Sequence, residues 1–420
     1  MRTARRRGQS AAVSAAASSS RAVPAVSRAA WLRLAACAAA AALLQMDGTI
    51  VTVALPSVGR ELDAGSHALS WVLTAYFLAY GATLFPGGAL VDRIGSRRVG
   101  LCGLSLFATG ALIGALAGSF GVLVGSRLVQ GAGAGLVSPA SLAGAVSGFP
   151  PERRGSALGV WGASSGVANL IGPLIGGLLI VTIDWRACWW FFLPASLAVA
   201  IAFRRSVPSE VHADGSPDAS GLRQRVVAAA AVGAALTFVV MIGAFFIAQQ
   251  YLQVAEGYSA LGAAAALTVI AVLVGVGAPL SGRLSDARGE AFTMGLGFML
   301  TALGLALLGI PGAPLSGLGA LPLLLPFGMG LGLLFVPASR AALNAVPQSK
   351  HGRVSALLSA ARLFGAALGA VLAGAALSGG VTAEHARIAL LVGAALTLVI
   401  GLPAAAELSP RRHRASVRAG

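Results

Sequence analysis

The chain has 420 residues, of which 57% are hydrophobic and only 10% are charged, whereas an ordinary soluble domain carries roughly 25% charged residues. This composition excludes a water-soluble globular domain, and the long uncharged runs between Leu34 and Glu407 predict an all-α polytopic membrane protein. The formal charge of +16 does not indicate a nucleic-acid partner, because the basic residues concentrate in the tails and in alternate loops. The exceptions are Arg60, Arg127, Arg186, Arg340, Arg362 and Arg387.

Apolar runs long enough to cross about 30 Å of hydrocarbon predict about twelve transmembrane helices in two six-helix halves. We place these spans at 34–57, 69–91, 98–118, 121–146, 155–181, 187–204, 225–252, 260–283, 291–311, 319–346, 353–378 and 385–406. The predicted parts are a disordered basic tail over 1–33, an N-terminal bundle over 34–204, a central loop over 205–224, a C-terminal bundle over 225–406 and a basic tail over 407–420.

The loops that share a side with both tails hold nearly all the arginines. Positive charge marks the cytoplasmic side, so we expect both termini in the cytoplasm and a multi-pass protein of the cell membrane. The N-terminal tail could instead be a targeting signal. The apolar stretch that follows is longer than a signal-peptide core and carries no convincing cleavage site, which favours a cytoplasmic tail.

The first span carries one carboxylate, Asp47, within the stretch "LLQMDGTIVTVALPSV". A charged Asp at a helix centre costs about 2.5–3.5 kcal/mol, and we expect it to face the bundle or a wet cavity. Three interpretations stay open: an Asp bonded to a neighbouring helix, a proton or cation site, and a misplaced span. Gln45 and Thr49 lie on nearly the opposite side of the helix, and either side could line a path.

The loop after the second span, "GGALVDRIGSRR", is short and highly charged, and Gly95 permits a tight turn within it. It is echoed in the second half, where "GRLSDARG" places Asp286 at the position of Asp92 and glycines at the same offsets. This repetition predicts a duplicated architecture and favours a conformational gate, although the charges could simply set the topology. The gate candidates are Gly88, Asp92, Arg93, Gly95, Arg97, Arg98 and Asp286.

In the fourth span, "SRLVQGAGAGLVSPAS", the side chains of Arg127, Gln130 and Ser138 fall on one face of the helix. An arginine deep in a span indicates a face turned to water or to a partner helix. A purely structural salt bridge or carbonyl clamp explains it equally well. Asp47 is the first partner to consider.

The fifth span contains "GVANLIGPLIGG", in which Pro173 removes a helix hydrogen bond and glycines recur at spacings near four. These features predict either a hinge or a static contact seam. The residues concerned are Gly172, Pro173, Gly176 and Gly177.

Further polar candidates lie in the second half. Gln249 and Gln253 come near the outer end of the seventh span, where they could touch a substrate or merely mark a polar helix end. Arg362 lies in the middle of the eleventh span and is a second buried cation. The three cysteines show no metal-ligand spacing, so we expect free thiols and no metal site.

Taken together these segments resemble the major facilitator superfamily. "GGALVDRIGSRR", "RLVQGAGAG" and "GVANLIGPLIGG" are similar to its signatures after the second span and in the fourth and fifth spans. "MDGTIVTVALPSV", "SWVLTAYFLAYG", "DWRACWWFFLPASL" and "QQYLQVAEGYSALGAAA" resemble the EmrB/QacA-type drug:proton antiporters. That group usually has an extra central hairpin, which this chain lacks, and Asn169 replaces an apolar or small residue.

The resemblance implies a secondary transporter that exports small amphipathic molecules, such as drugs or antibiotics, in exchange for protons. We expect this transporter to need no cofactor beyond the proton gradient and to act as a monomer in the bilayer, and we do not expect it to be an enzyme. The resemblance assigns proton or cation coupling to Asp47, tuned by Arg127. The implied substrate cavity between the halves contains Gln45, Thr49, Gln130, Ser138, Asn169, Gln249, Gln253 and Arg362. The alternatives are a dedicated exporter of one endogenous metabolite and a non-transporting membrane sensor or scaffold.

Overall fold

The computed structural model describes residues 26–150, 154–208, 224–346 and 351–409. These residues form helices joined by short loops, without a β-strand among them. The helices of the first half are α1 Arg28–Glu61, α2 Ser66–Ile94, α3 Ser96–Ala115, α4 Phe120–Val146, α5 Arg154–Thr182 and α6 Ala187–Ser206. Those of the second half are α7 Gln224–Gln250, α8 Ala260–Arg288, α9 Glu290–Gly309, α10 Gly317–Leu334, α11 Pro337–Asn344, α12 His351–Ala376 and α13 Ala383–Glu407.

Eleven helical segments within the described residues are long and apolar enough to cross a membrane. Helix α5 adds a shorter apolar stretch, Val167–Thr182, to that set. The prediction of an all-α polytopic membrane protein in two halves is therefore confirmed.

The second and third helices of each half are joined by a single glycine. Gly95 connects α2 to α3 with a φ of 86°, and Gly289 connects α8 to α9 with a φ of 87°. A residue with a Cβ rarely adopts this left-handed backbone region. The tight turn expected at Gly95 is confirmed, and its copy in the second half supports the predicted duplication.

The tenth span, predicted over 319–346, corresponds to one membrane-crossing segment, Gly317–Asn344, but the helix is interrupted within it. Helix α10 ends at Leu334, and α11 begins at Pro337. Proline has no N–H and its ring clashes with the carbonyl four residues earlier, which here is Leu333. Ser281 of α8 donates to that carbonyl oxygen at 2.7 Å, so the carbonyl keeps a hydrogen-bond partner where the helix is interrupted.

We call the side on which α1 begins and α13 ends the terminal side, and the other the distal side. Between described residues, two hydrogen bonds connect the halves, and both lie toward the distal side. Thr74 Oγ1 donates to the carbonyl of Ala367 at 3.4 Å, and Gln253 Nε2 donates to the carbonyl of Val53 at 3.1 Å. A small apolar cluster of Val53, Ala260 and Ala264 adds to this contact. The described halves therefore meet on the distal side.

Candidate functional site

The centre of the first half holds a buried ion pair between α1 and α4. Arg127 Nη1 lies 2.8 Å from Asp47 Oδ1, and Nη2 lies 2.6 Å from Oδ2. Both side chains are fully buried. Asp47 sits mid-way along α1 and Arg127 about two turns into α4. The expectation that Arg127 is the partner of Asp47 is met in this structure, and the first span is correctly placed.

Three further groups complete the coordination of the guanidinium. Gln130 Oε1 accepts from Arg127 Nη1 at 2.8 Å, while Gln130 Nε2 donates to Asp47 Oδ1 at 3.1 Å. Gln130 can do so because residues three apart share a helix face. Arg127 Nε donates to the carbonyl of Val72 at 3.1 Å, and Cζ lies 4.4 Å from the centre of the Tyr76 ring. We call Asp47, Arg127, Gln130 and Tyr76 the charged cluster.

The charged cluster is sealed from solvent in this conformation. Tyr76 Oη donates to the carbonyl of Leu44 at 3.1 Å, so the ring is fixed between α1 and α2. Gly131 has no room for a Cβ, which would come 2.3 Å from the carbonyl oxygen of Tyr76. This close approach of α2 and α4 lets Arg127 reach the backbone of Val72. Desolvating two charges is expensive, and the bidentate geometry with added hydrogen bonds offsets that cost.

The other substrate-cavity candidates do not join this cluster. Thr49 is half-buried and donates to the carbonyl of Met46 at 3.0 Å. Gln249 and Gln253 are buried at the distal interface, where Gln253 Nε2 bonds Gln249 Oε1 at 2.8 Å. Arg362 is half-buried and donates to Ser339 Oγ at 2.7 Å. Gln45, Ser138 and Asn169 are half-buried as well.

The gate candidates behave differently in the two halves. Asp286 pairs with Arg340 at 2.6 Å, and the same arginine lies 3.6 Å from Glu290 at the start of α9. For Asp92, no ion pair appears among the residues that the structure describes. Arg93 and Arg98 are exposed, and Gly88 and Arg97 are half-buried. The expected equivalence of Asp92 and Asp286 therefore holds for the backbone but not for the ion pairs.

The glycines of the fifth span form a contact seam. A Cβ at Gly172 would lie 2.1 Å from Thr49 Oγ1, and one at Gly176 would lie 3.1 Å from the carbonyl oxygen of Ile50. Gly177 packs in the same way on Leu261 of α8. Helix α5 runs continuously through Pro173. The seam is visible in the structure, and the hinge stays a prediction.

Sequence analysis did not predict a network of polar contacts on the distal side of the first half. Glu61 at the end of α1 accepts from Arg186 Nη1 at 2.5 Å and from Trp185 Nε1 at 2.7 Å. Arg186 Nη2 donates to the carbonyl of Ala117 at 3.1 Å, and its Cζ lies 4.3 Å from the Trp185 ring centre. The signal available in the sequence was the adjacency of Trp185 and Arg186 in a loop otherwise poor in arginine.

Among the described residues, no group of three or more histidine, cysteine, aspartate or glutamate side chains could hold a metal ion. The three cysteines are free thiols. The charged cluster holds a buried carboxylate against a buried guanidinium.

Comparison with known proteins identifies the family. A family model described as Major Facilitator Superfamily matches residues 37–370. The puromycin resistance protein pur8 of Streptomyces alboniger is 40% identical over 175 residues, which are 41% of this chain and 35% of that protein. The multidrug resistance protein Stp of Mycobacterium tuberculosis is 27% identical over 396 residues, covering 80% of this chain and 74% of Stp. The match to pur8 spans only 35% of the length of that protein. A match at 39% identity to the MFS-type transporter Rv1250 of Mycobacterium tuberculosis spans only 27% of the length of that relative.

A solved structure supports the same fold. The crystal structure of a bacterial homologue of the human lysosomal transporter Spinster, in an inward-facing and occupied conformation, matches with a TM-score of 0.71. The alignment covers 89% of this chain and 95% of that one at 18% identity, which is evidence for the fold alone. With the matched family model, the apolar helices and the duplicated halves, this chain is a multi-pass membrane protein that belongs to the Major Facilitator Superfamily.

Proposed function

We propose that this protein is a proton-coupled antiporter of the cell membrane, similar to the EmrB/QacA type, that exports small amphipathic molecules. The observation that carries the proposal is the bidentate contact between Asp47 and Arg127 inside an apolar bundle. A buried pair is weak evidence for stability, because apolar residues often stabilise such a site as well or better. Ionisable groups inside a membrane bundle are candidate functional sites, and proton relays are among their common roles.

The geometry supplies a way for a proton to change helix packing. When Asp47 is ionised, both of its oxygens accept from Arg127 and the carboxylate holds α1 against α4. A proton on one oxygen removes that acceptor and weakens the charge-assisted contact. Arg127 would keep its bonds to Gln130 and the carbonyl of Val72 and its contact with the Tyr76 ring. Proton uptake would therefore loosen α1 while α2 and α4 stay together.

The arrangement of the halves supports alternating access. They meet on the distal side through Gln253 and Val53 and through Thr74 and Ala367. In our proposal the terminal side faces the cytoplasm, because the described helix ends on that side carry Arg93, Arg97, Arg98, Arg204 and Arg205. This conformation would then receive substrate from the cytoplasm, and rocking of the halves would release it outside.

Two helices supply polar groups at one level of the proposed substrate path. Helices α1 and α5 run parallel and touch where Gly172 approaches Thr49. Gln45 lies four residues before Thr49, and Asn169 lies three residues before Gly172, so both are about one turn nearer the terminal side. Both are half-buried. An amide on each of these two neighbouring helices suits neutral or weakly polar substrates.

The test is transport in everted membrane vesicles energised by a proton gradient, with a panel of antibiotics and dyes chosen because relatives are named for drug resistance. Asp47→Asn should abolish proton-driven uptake while the protein still binds substrate. Glu61→Gln is the matched carboxylate control, because Glu61 is exposed at the distal end of the same helix. Uptake by Asp47→Asn that still responds to the gradient would remove the proposed role. Cross-competition among the panel separates a broad exporter from a dedicated one.

A further inference from the structure

A cavity of about 380 Å³ lies inside the second half on its distal side. Its walls are almost entirely apolar and include Leu267, Leu305, Phe327, Ala386 and Leu390. Pockets that bind small molecules fall between about 300 and 1,000 Å³ and combine apolar walls with a few polar groups. We call this space the distal cavity. No residue of the charged cluster lines it.

A hydrogen bond from an arginine side chain to a loop carbonyl occurs at the distal end of both halves, and it allows the two halves to be aligned residue by residue. In the first half Arg186 Nη2 donates to the carbonyl of Ala117, in the loop between α3 and α4. In the second half Arg387 Nη2 donates to the carbonyl of Ala313, in the loop between α9 and α10, at 2.8 Å. Each arginine lies at the start of the sixth span of its half. Arg186 therefore corresponds to Arg387.

This correspondence shows what is missing from the second half. Aligned on the arginines, Trp185 corresponds to Ala386 and Trp189 to Leu390. Both tryptophans are buried, at 2% and 0% exposure, and their rings meet edge to face at 5.5 Å. Ala386 and Leu390 both line the distal cavity. The cavity thus occupies the place that indole rings fill in the first half.

The polar groups that hold the indole of Trp185 also have counterparts. Trp185 Nε1 donates to Glu61 at the end of α1, and its ring lies under the Arg186 guanidinium. A π-helical turn, Tyr251–Ala255, continues from the end of α7. The residue after it is Glu256, which accepts from Tyr251 Oη at 2.5 Å and from Ser316 Oγ at 3.2 Å. Tyr251 and Ser316 line the cavity. A carboxylate has about four lone-pair sites, so Glu256 can accept further donors.

We propose that the distal cavity binds a small aromatic amine in place of the missing indole. The aromatic ring would fill the apolar space beside Ala386 and Leu390. Its N–H or ammonium group would reach past the lining residues Tyr251 and Ser316 to Glu256, which does not itself line the cavity but bonds to both. Arg387 directly follows Ala386 in the chain, as Arg186 follows Trp185, and its Nη2 is held by the carbonyl of Ala313. Nε of Arg387 is buried and has no hydrogen-bond partner in the described part of the chain. The rim of the cavity includes Leu318, which is 84% exposed, so a ligand can enter from the distal side.

The experiment measures equilibrium binding of tritiated tryptamine to the full chain in lipid nanodiscs. We expect one saturable site, competed by unlabelled tryptamine and not by indole-3-acetate, whose carboxylate opposes Glu256. Ala386→Trp and Leu390→Trp should each fill the cavity and abolish binding. Glu256→Gln should weaken it about tenfold, because a charge-assisted hydrogen bond becomes a neutral one. Val399→Trp on the same helix is the control for side-chain size, since Val399 is 71% exposed.

A second variant keeps the proposal falsifiable if a filled cavity disturbs folding. Trp185→Ala should open the matching space in the first half and raise the stoichiometry from one tryptamine to two. Binding that survives Ala386→Trp and Leu390→Trp, in proteins that keep the thermal stability of the parent, would overturn the proposal. So would a Trp185→Ala variant whose stoichiometry does not change. The double variant Asp47→Asn with Arg127→Gln removes the buried pair without leaving an unpaired charge, so it should leave tryptamine binding intact, which separates this site from the proposed proton antiport.

Discussion

Asp47 and Arg127 are 80 residues apart in the chain, and the two oxygens of one meet the two terminal nitrogens of the other inside the first half. Neither group reaches solvent. Changing one partner therefore leaves the other charged, buried and unpaired. The consequences for stability and for coupling can be separated by changing both.

Asp47→Asn alone should destabilise the protein by about 3–5 kcal/mol, since an uncompensated Arg127 remains buried. The double variant Asp47→Asn with Arg127→Gln should recover most of that loss, because no net charge is left in the bundle. Thermal unfolding in detergent measures both. Proton-driven transport should be lost in the single and the double variant alike. Coupled transport by the stabilised double variant would show that the pair is only structural.

Arg127→Lys should fail in spite of the retained charge. The guanidinium makes four hydrogen bonds in fixed directions to Asp47, Gln130 and the carbonyl of Val72. An ammonium group is a compact point charge that cannot reproduce a bidentate fork. We expect transport to fall at least about tenfold, on the scale of a lost charge-assisted hydrogen bond. Wild-type rates for Arg127→Lys would show that the charge alone suffices.

Gly95→Ala should be destabilising by about 1 kcal/mol or more, because its φ of 86° is strained for a residue with a Cβ. Gly88→Ala is a matched control in the same motif, since a Cβ there meets no atom within 4 Å. In a helix it should be neutral or stabilising by about 0.5–1 kcal/mol. Thermal unfolding of the two purified variants tests this difference. Equal melting temperatures would contradict the conformational argument.

Arg340→Ala should change stability little. Its partner Asp286 is 70% exposed, and Arg340 itself is 37% exposed, and exposed pairs are typically worth about 0.2–1 kcal/mol. If the pair acts as a gate, the variant should instead alter the transport rate at low salt, and high salt should reduce the difference between variant and parent. A large loss of stability would show that this contact is structural.

Gln253→Leu should favour opening on the distal side. The Gln253 amide is one of the bonds between the halves, and its loss leaves the buried carbonyl of Val53 without that donor, at a cost of about 1–3 kcal/mol. In a cysteine-free background, Ala264→Cys reports on closure, because Ala264 is fully buried in the cluster with Val53. A membrane-impermeant thiol reagent should label it severalfold faster in the Gln253→Leu background. Gln45→Leu is the control, since Gln45 lies nearer the terminal side.

Local sequence patterns were enough for the membrane-spanning segments and the tight turn at Gly95. The partnership of Asp47 and Arg127 was also predictable, because one buried acid and one deep arginine in the same half have few other ways to be neutralised. Asp47 needed a partner and Arg127 was the first to consider.

Contacts that depend on how helices cross were not predictable. The carbonyl of Val72 and the ring of Tyr76 join the site only because Gly131 lets α2 and α4 approach closely. The pairing of Arg340 with Asp286 spans 54 residues, and no equivalent ion pair occurs among the described residues of the first half. Predicting that α10 ends at Leu334 would have required knowing that Ser281 donates a hydrogen bond to the carbonyl of Leu333, which Pro337 leaves without a helical partner.

The separation of Asp47 from Arg127 also matters while the protein is being made. The acid leaves the ribosome 80 residues ahead of the base, so the first helix must enter the translocon without its counter-ion. Its insertion is nearly balanced between the cost of the acid and the gain from its aliphatic neighbours. Neutralisation of the acid by Arg127 requires the fourth helix, so this contact joins two helices that are synthesised at different times.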